Sequence, residues 1–416
     1  MDFALPFGQG QLSANLPDSM HVEVVKPPEV AAVENPTAAV EAALDEPIGG
    51  VDWEEWRGAR SAAIAINDKT RPVPHEYLLP PLLRRLEGLG LAPEAIQLFI
   101  ACGTHPPMPP EEHPLIVPAQ VLARYPVLCH DANDRENLAH LGTTSRGTPM
   151  WVNRRFLGAD LRIAVGNIEP HQFQGFSGGV KSVAVGLAGR DLINHNHAMM
   201  TDSQSRLGRY TDNPARQDVE EIGQAIGVHL ALNSILNGQK QIVHVLAGEP
   251  RAVMEAGVPL SRSVSQVAVG TPFDLVLASP GGHPKDINLY QSQKAVAHAS
   301  QVTRDGGAVI LVAACPEGAG SPSYEEAMAG MSSHEEVLDR FEREPFRLGP
   351  HKAFLMSRDA VRIKVVLVSV MAPADVRRLL LTPAGSIDEA LNLVLPSLPN
   401  GPRVGIVPRA SSTIPY

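Results

Sequence analysis

Cysteine is scarce in this chain: Cys102, Cys129 and Cys315 are its only three in 416 residues, widely separated and without a CxxC pair. That spacing offers no disulfide framework and no thiolate zinc site, and it fits a reducing cytoplasm. Basic charge is in deficit as well, with 35 Lys and Arg against 45 Asp and Glu and a net charge of -10. Such a field repels polyanions, so neither nucleic acid nor an anionic membrane surface is an expected partner, and small molecules are favoured. The opening MDFALPFGQG has neither a basic n-region nor a long apolar h-region. No apolar run approaches the roughly 18 to 20 residues of a membrane span. The expectation is a cytoplasmic protein that no standard signal exports.

What the chain does have is length and apolar content, 44% hydrophobic over 416 residues, enough for more than one core. The first 50 residues read as an extended, Pro- and Glu-rich arm ending in a short helix near AAVEAALDEP. From Ser61 onward, short β-prone runs end in Gly- or Pro-marked loops and then helices. AAIAI leads into NDKTRPVP and the helix around LLPPLLRRLEGL; IQLFIA leads into CGTHPPMPPEE; LRIAVGNI leads into HQFQGFSGGVKS. The alternation restarts after Gly257, with FDLVLASPGG, AVILVAAC and IKVVLVSV each followed by a loop and a helix. Two α/β domains are expected, 1–257 and 258–416, with an active-site cleft between them.

Several ligand-binding signatures are missing. Walker A fails because Val180, not Gly, precedes Lys181; no G-x-G-x-x-G marks a strand-to-helix turn; no HExxH or comparable spacing specifies zinc. Three readings stay open for residues 171–197, which hold three His, one Lys and five Gly. The stretch cradles a phosphate on backbone N–H groups beside Lys181, holds a metal at His195 or His197, or only turns a corner. Ligands of open α/β sheets gather at the carboxyl ends of strands. Asp68, Arg71, His105, His171, Lys181 and His197 follow three strands of the first domain, and Lys285, Asp286, Tyr290, Gln291 and Lys294 follow one strand of the second. His105 and His171 suit an acid/base pair near neutral pH. Each of these residues also has an ordinary role open to it: a loop salt bridge for Asp68 and Arg71, a local hydrogen bond for the His, solvent exposure for Lys294.

In order and spacing, DKTRP (68–72), GTHPP (103–107), HQFQGFSGGVKS (171–182), NHNHAMM (194–200) and PKDINLYQSQK (284–294) resemble the nickel-pincer lactate racemase family, LarA. The resemblance runs from about LPFGQG to GPRVGIVP. It implies a racemase of 2-hydroxy acids, an isomerase working by reversible hydride transfer. It implies as cofactor a nickel-pincer nucleotide, the pyridinium-3-thioamide-5-thiocarboxylic acid mononucleotide with nickel, and as partners the enzymes that make it. Carried over residue by residue, Lys181 is the covalent tether, His197 the protein ligand to nickel, and His105 and His171 the two acid/bases. A neutral imidazole suits square-planar nickel(II). Ser177, Gly178, Gly179 and Asp68 fall beside the cofactor, with Asp68 placed to orient one His. Arg71, with Tyr290, Gln291 and Lys294 from the second domain, falls on the substrate carboxylate. His195 has no family role.

Two departures stand out. Val185 precedes Gly186 where the family commonly has a Pro-Gly pair. His351, in GPHKAFLMSR, aligns with a Trp of the lactate-specific enzyme, so the pocket is expected to admit acids bulkier than lactate, with Phe173 as a further wall. A sugar-acid 2-epimerase of the same family and a non-catalytic cofactor carrier are the alternatives. The carrier fits less well, because storage needs no base on either side of a substrate.

Overall fold

The continuous apolar runs become parallel strands covered on both faces, as such strands must be. In the computed structural model of the chain, which describes residues 2–347 and 349–416, Ala62–Ile66 and Leu275–Ala278 are buried to within 1% of full coverage. Two compact units form: one is Glu29–Val264, the other the chain up to Pro28 together with Ser265–Tyr416.

The Glu29–Val264 unit is built on a six-stranded sheet ordered Ile242–Gly248, Leu230–Leu236, Leu161–Asn167, Ala62–Asn67, Ile96–Ala101, Val127–Cys129. Only the Ile242–Gly248 edge is antiparallel. From Ala62–Asn67 the chain moves outward to Val127–Cys129, then returns to pair Leu161–Asn167 against the other side of its starting strand. The order therefore reverses between Ala62–Asn67 and Leu161–Asn167, and the loops leaving those strands diverge to leave a crevice. Asn-Pro pairs start two of the helices. Asn35 caps Pro36–Asp45 and Asn213 caps Pro214–Ile226, each side chain accepting a backbone N–H while Pro takes the first helical position.

The second unit has an all-parallel sheet ordered Thr382–Ala384, Lys364–Val368, Thr303–Val312, Phe273–Ala278, Arg403–Val407, His21–Val24. This differs from the expected division at 257/258 in two ways. The helix Pro250–Ser265 passes through that point unbroken. The leading segment is no separate arm of the first domain: His21–Val24 pairs with Arg403–Val407, about 380 residues away in sequence, a pairing that satisfies its backbone groups. No helix among the described residues is long and apolar enough to cross a membrane.

Each unit buries a histidine in its core. His75 places Nδ1 3.0 Å from the Ile116 carbonyl, and His298 places Nδ1 2.6 Å from that of Ala410. Desolvation lowers both to about 4 despite those bonds. Above pH 6.5 neither folded nor unfolded chain protonates these rings, so they leave stability unchanged. Below it the unfolded chain takes protons that the native rings refuse, and stability falls until about pH 4. Urea titrations from pH 7 to 4 should show a loss of up to about 3 kcal/mol per ring, smaller in His75→Phe.

Candidate active site

The crevice at the reversal point is a pocket of about 830 Å³, counting the open space at its mouth. Asp68 and Arg71 reach it from the first strand's loop, His105 from the second, His171 from the third, and Ser177, Gly178, Lys181 and His197 from the stretch that follows. The structure thus gathers eight of the residues singled out in the sequence. It adds Asn67, Cys102, Asn167 and Glu169 to the lining, which no motif signalled; their only mark was their place at strand ends.

Asp68 is 4% exposed, and its Oδ2 lies 2.7 Å from His105 Nδ1 while Oδ1 accepts the Thr70 hydroxyl at 2.6 Å. Burial pulls the carboxyl up, but the bonds from His105 and Thr70 outweigh it and hold the group below its ordinary value. An ionised Asp68 requires the proton on His105 Nδ1, which leaves Nε2 as the basic atom. His171 has the opposite arrangement: its Nδ1 accepts the Gln174 N–H at 3.3 Å, so the neutral ring carries its proton on Nε2. Desolvation, reinforced by the nearby Arg71 and Arg216 guanidiniums, drives the Lys181 amine well below its ordinary value. Desolvation and Lys181 lower His197 to about 3, so its imidazole is neutral. The His197 Nδ1 is buried without a hydrogen-bond partner.

The loop joining these groups is braced from beneath by Pro214–Ile226. Arg216, fully buried, donates to the carbonyls of Phe176 (3.1 Å) and Gly178 (3.2 Å) and pairs with Glu220 at 2.6 Å. Asn213 donates to the Phe173 carbonyl at 2.7 Å. Asn196, between His195 and His197, donates to Asp218 at 2.9 Å and accepts from Gln174 at 2.6 Å, which ties the His197 helix to the same brace. Gly175 turns at φ +70, where a Cβ would meet the Arg209 carbonyl oxygen at 1.5 Å, so only glycine fits. Arg216→Leu leaves two carbonyls without their donor and Glu220 with only the Tyr210 hydroxyl. Denaturant unfolding of that variant should show a loss of about 3 to 5 kcal/mol.

Some expectations take a different form. The helix after FSGGVKS is a single turn, Lys181–Ala184, and offers no extended dipole for a phosphate. Gly179 does not face the pocket: its N–H donates to Asn233 Oδ1 at 2.7 Å. His195 and His197 lie in the last turns of the helix Arg190–Ala198, and His195 Nε2 sits 3.2 Å from the Arg146 carbonyl. Phe173 packs edge-on between His171 and His197, its ring centroid 4.8 Å and 5.0 Å from theirs; it fixes two imidazoles rather than lining the pocket. In the other unit, Tyr290, Gln291 and Lys294 share the helix Leu289–Ala299, Tyr290 meets His351 edge-on at 6.3 Å, and Asp286 is structural, accepting the N–H groups of Gly8 and Ala314.

Among the described residues no three His, Cys, Asp or Glu side chains gather to hold a metal. A metal at His197 therefore needs most of its donors from a bound organic group. A desolvated lysine amine and an unpartnered imidazole nitrogen in one pocket suit a group that is both tethered and metallated.

Residues 7–208 match the family model of the lactate racemase N-terminal domain, and residues 269–414 that of the C-terminal domain. A lactate racemase of Thermoanaerobacterium thermosaccharolyticum is 27% identical over 419 residues, covering 99% of this chain and 98% of that protein. One from Lactiplantibacillus plantarum is 29% identical over 377 residues, covering 89% and 88%. The solved lactate racemase apoprotein from T. thermosaccharolyticum superposes with a TM-score of 0.91 at 26% identity over the whole of both chains. A Thermotoga maritima protein shares the fold, with a TM-score of 0.64 at 18% identity, covering 92% of this chain and 97% of that one.

Proposed function

We propose, for a chain that belongs to the lactate racemase family and is an isomerase, that it interconverts the enantiomers of small 2-hydroxy acids using a nickel-pincer nucleotide joined to Lys181. The observation that carries this is the pairing, in one pocket, of a desolvated Lys181 amine with the unpartnered, neutral His197. When bound, the group supplies a pyridinium carbon that takes and returns hydride. Lys181 would hold it covalently, His197 would complete the nickel coordination, and Ser177 and Gly178 would lie alongside.

The remaining work belongs to the chain. Racemisation removes the hydroxyl proton together with the C–H hydride, then restores both on the opposite face of a planar 2-oxo acid. The two histidines have complementary tautomers for this task. His105, with Nδ1–H directed to Asp68, offers an unprotonated Nε2 as base; His171, with Nδ1 already accepting Gln174, offers Nε2–H as donor. Asp68, accepting the Nδ1–H, holds His105 in this tautomer and orientation. The Arg71 guanidinium, which lines the pocket, is the carboxylate anchor, a planar fork matched to two oxygens. Coexpression with the cofactor-making enzymes, nickel analysis and chiral chromatography of a 2-hydroxy acid panel test this reading. Protein that acquires cofactor and nickel yet racemises no member of the panel would refute it.

Substrate breadth follows from His351. A histidine at the position aligned with an indole leaves more room, and even one methylene changes discrimination by about 1 to 3 kcal/mol. The kcat/KM ratio of phenyllactate to lactate should fall at least tenfold in His351→Trp; an unchanged ratio would place residue 351 away from the substrate.

A further inference from the structure

We propose that Cys102 and Cys129 form a redox-modifiable dithiol, which a hydroperoxide converts to a disulfide, thereby altering the loop that carries His105. The two cysteines stand 27 residues apart in the chain, with no motif linking them. Parallel pairing of Ile96–Ala101 with Val127–Cys129, which sets Ile100 opposite Cys129, brings the Sγ atoms to 3.1 Å. A disulfide needs about 2.05 Å, so the sulfurs must close by only about 1 Å. Both are free thiols, and Cys102 lines the pocket, through which a small oxidant can enter.

The pair also holds both ends of the catalytic loop. At its start the Cys102 carbonyl accepts the His105 N–H at 3.0 Å; at its end Cys129 Sγ accepts the Met108 N–H at 3.1 Å. Hydrogen bonds from Cys102 and, against opposing burial, from Met108 hold the Cys129 thiol below its ordinary value, while Cys102 is held above it. Cys129, the less buried of the two and the one whose Sγ accepts the Met108 N–H, is the attacking sulfur and Cys102 the resolving one. Cys129 takes one peroxide oxygen as sulfenic acid while the O–O bond breaks and the other oxygen leaves as water. Cys102 sulfur then displaces the sulfenic oxygen as a second water. Two S–H bonds are lost, one S–S bond forms, and two electrons pass to the peroxide. A disulfide sulfur accepts a hydrogen bond more weakly than a thiolate, so the Met108 N–H loses its anchor.

The test treats the purified full chain, without cofactor, with graded hydrogen peroxide, then alkylates it under denaturing conditions. The expected product is lighter by two hydrogens and yields one cross-linked peptide pair containing Cys102 and Cys129. Cys315, whose thiol burial pushes up to about 12, remains alkylatable, and dithiothreitol reverses the change. Amide exchange at Met108 should quicken at least tenfold on oxidation and return on reduction, and Cys129→Ser should form no cross-link. Stepwise oxidation of either cysteine to sulfinic acid without a cross-link would overturn the dithiol. A cross-link that leaves Met108 exchange unchanged would overturn its hold on the loop.

Discussion

Lys181→Ala, coexpressed with the cofactor-making enzymes, is expected to emerge with the mass of the bare chain and no racemase activity, while its unfolding midpoint stays close to that of the parent. Forming a thioamide at a lysine consumes a neutral amine. With an ordinary value near 10.4, only about one surface ammonium in a few thousand is neutral at pH 7. Lys181 is held well below that value by desolvation and by Arg71 and Arg216, so its amine is the one prepared to react. Truncating it removes an amine whose burial the pocket disfavours, so the fold is expected to tolerate the change. Lys181→Arg is the informative companion, because it keeps a cation but cannot form the bond. His197→Ala should separate tether from metal, retaining the mass adduct while nickel content falls. A cofactor-sized adduct on Lys181→Ala would refute the tether.

The parts of this architecture that a sequence reveals are those written in local pattern. Strands buried on both faces in a parallel sheet have to be apolar throughout, so AAIAI, IQLFIA and LRIAVGN marked themselves. The loops after them then located Asp68, His105 and His171. What stayed hidden depends on pairing between distant segments. His21–Val24 joins the far sheet through backbone bonds that carry no side-chain signature. Cys102 and Cys129 meet only because their strands are neighbours. Arg216 is a charged position on a helix, yet it is fully buried beneath the Phe176 and Gly178 carbonyls. Such a brace has no spacing of its own, because its partners are carbonyl oxygens that every residue possesses.

The two histidines should fail differently when removed, and the difference is set by their hydrogen bonds. In His105→Ala the base that takes a hydroxyl proton is missing, so steady-state racemisation falls by about 10² to 10⁴. A single turnover of that variant should form no 2-oxo acid from the enantiomer whose hydroxyl faces residue 105. His171→Ala should still oxidise that enantiomer, because His105 Nε2 remains as its base. Asp68→Asn probes the same step without deleting the ring. An amide that donates to Nδ1 moves the ring proton to Nε2 and leaves the base occupied, a change that costs about 10⁴ in kcat where a triad carboxylate is replaced in this way. Because Asp68 is held ionised by His105 and Thr70, Asp68→Asn should lower kcat with little change in KM and flatten the pH profile of kcat for one enantiomer more than for the other. Equal losses for both enantiomers in all three variants would mean that His105 and His171 do not divide the two faces, and the complementary tautomers would then have no bearing on stereochemistry.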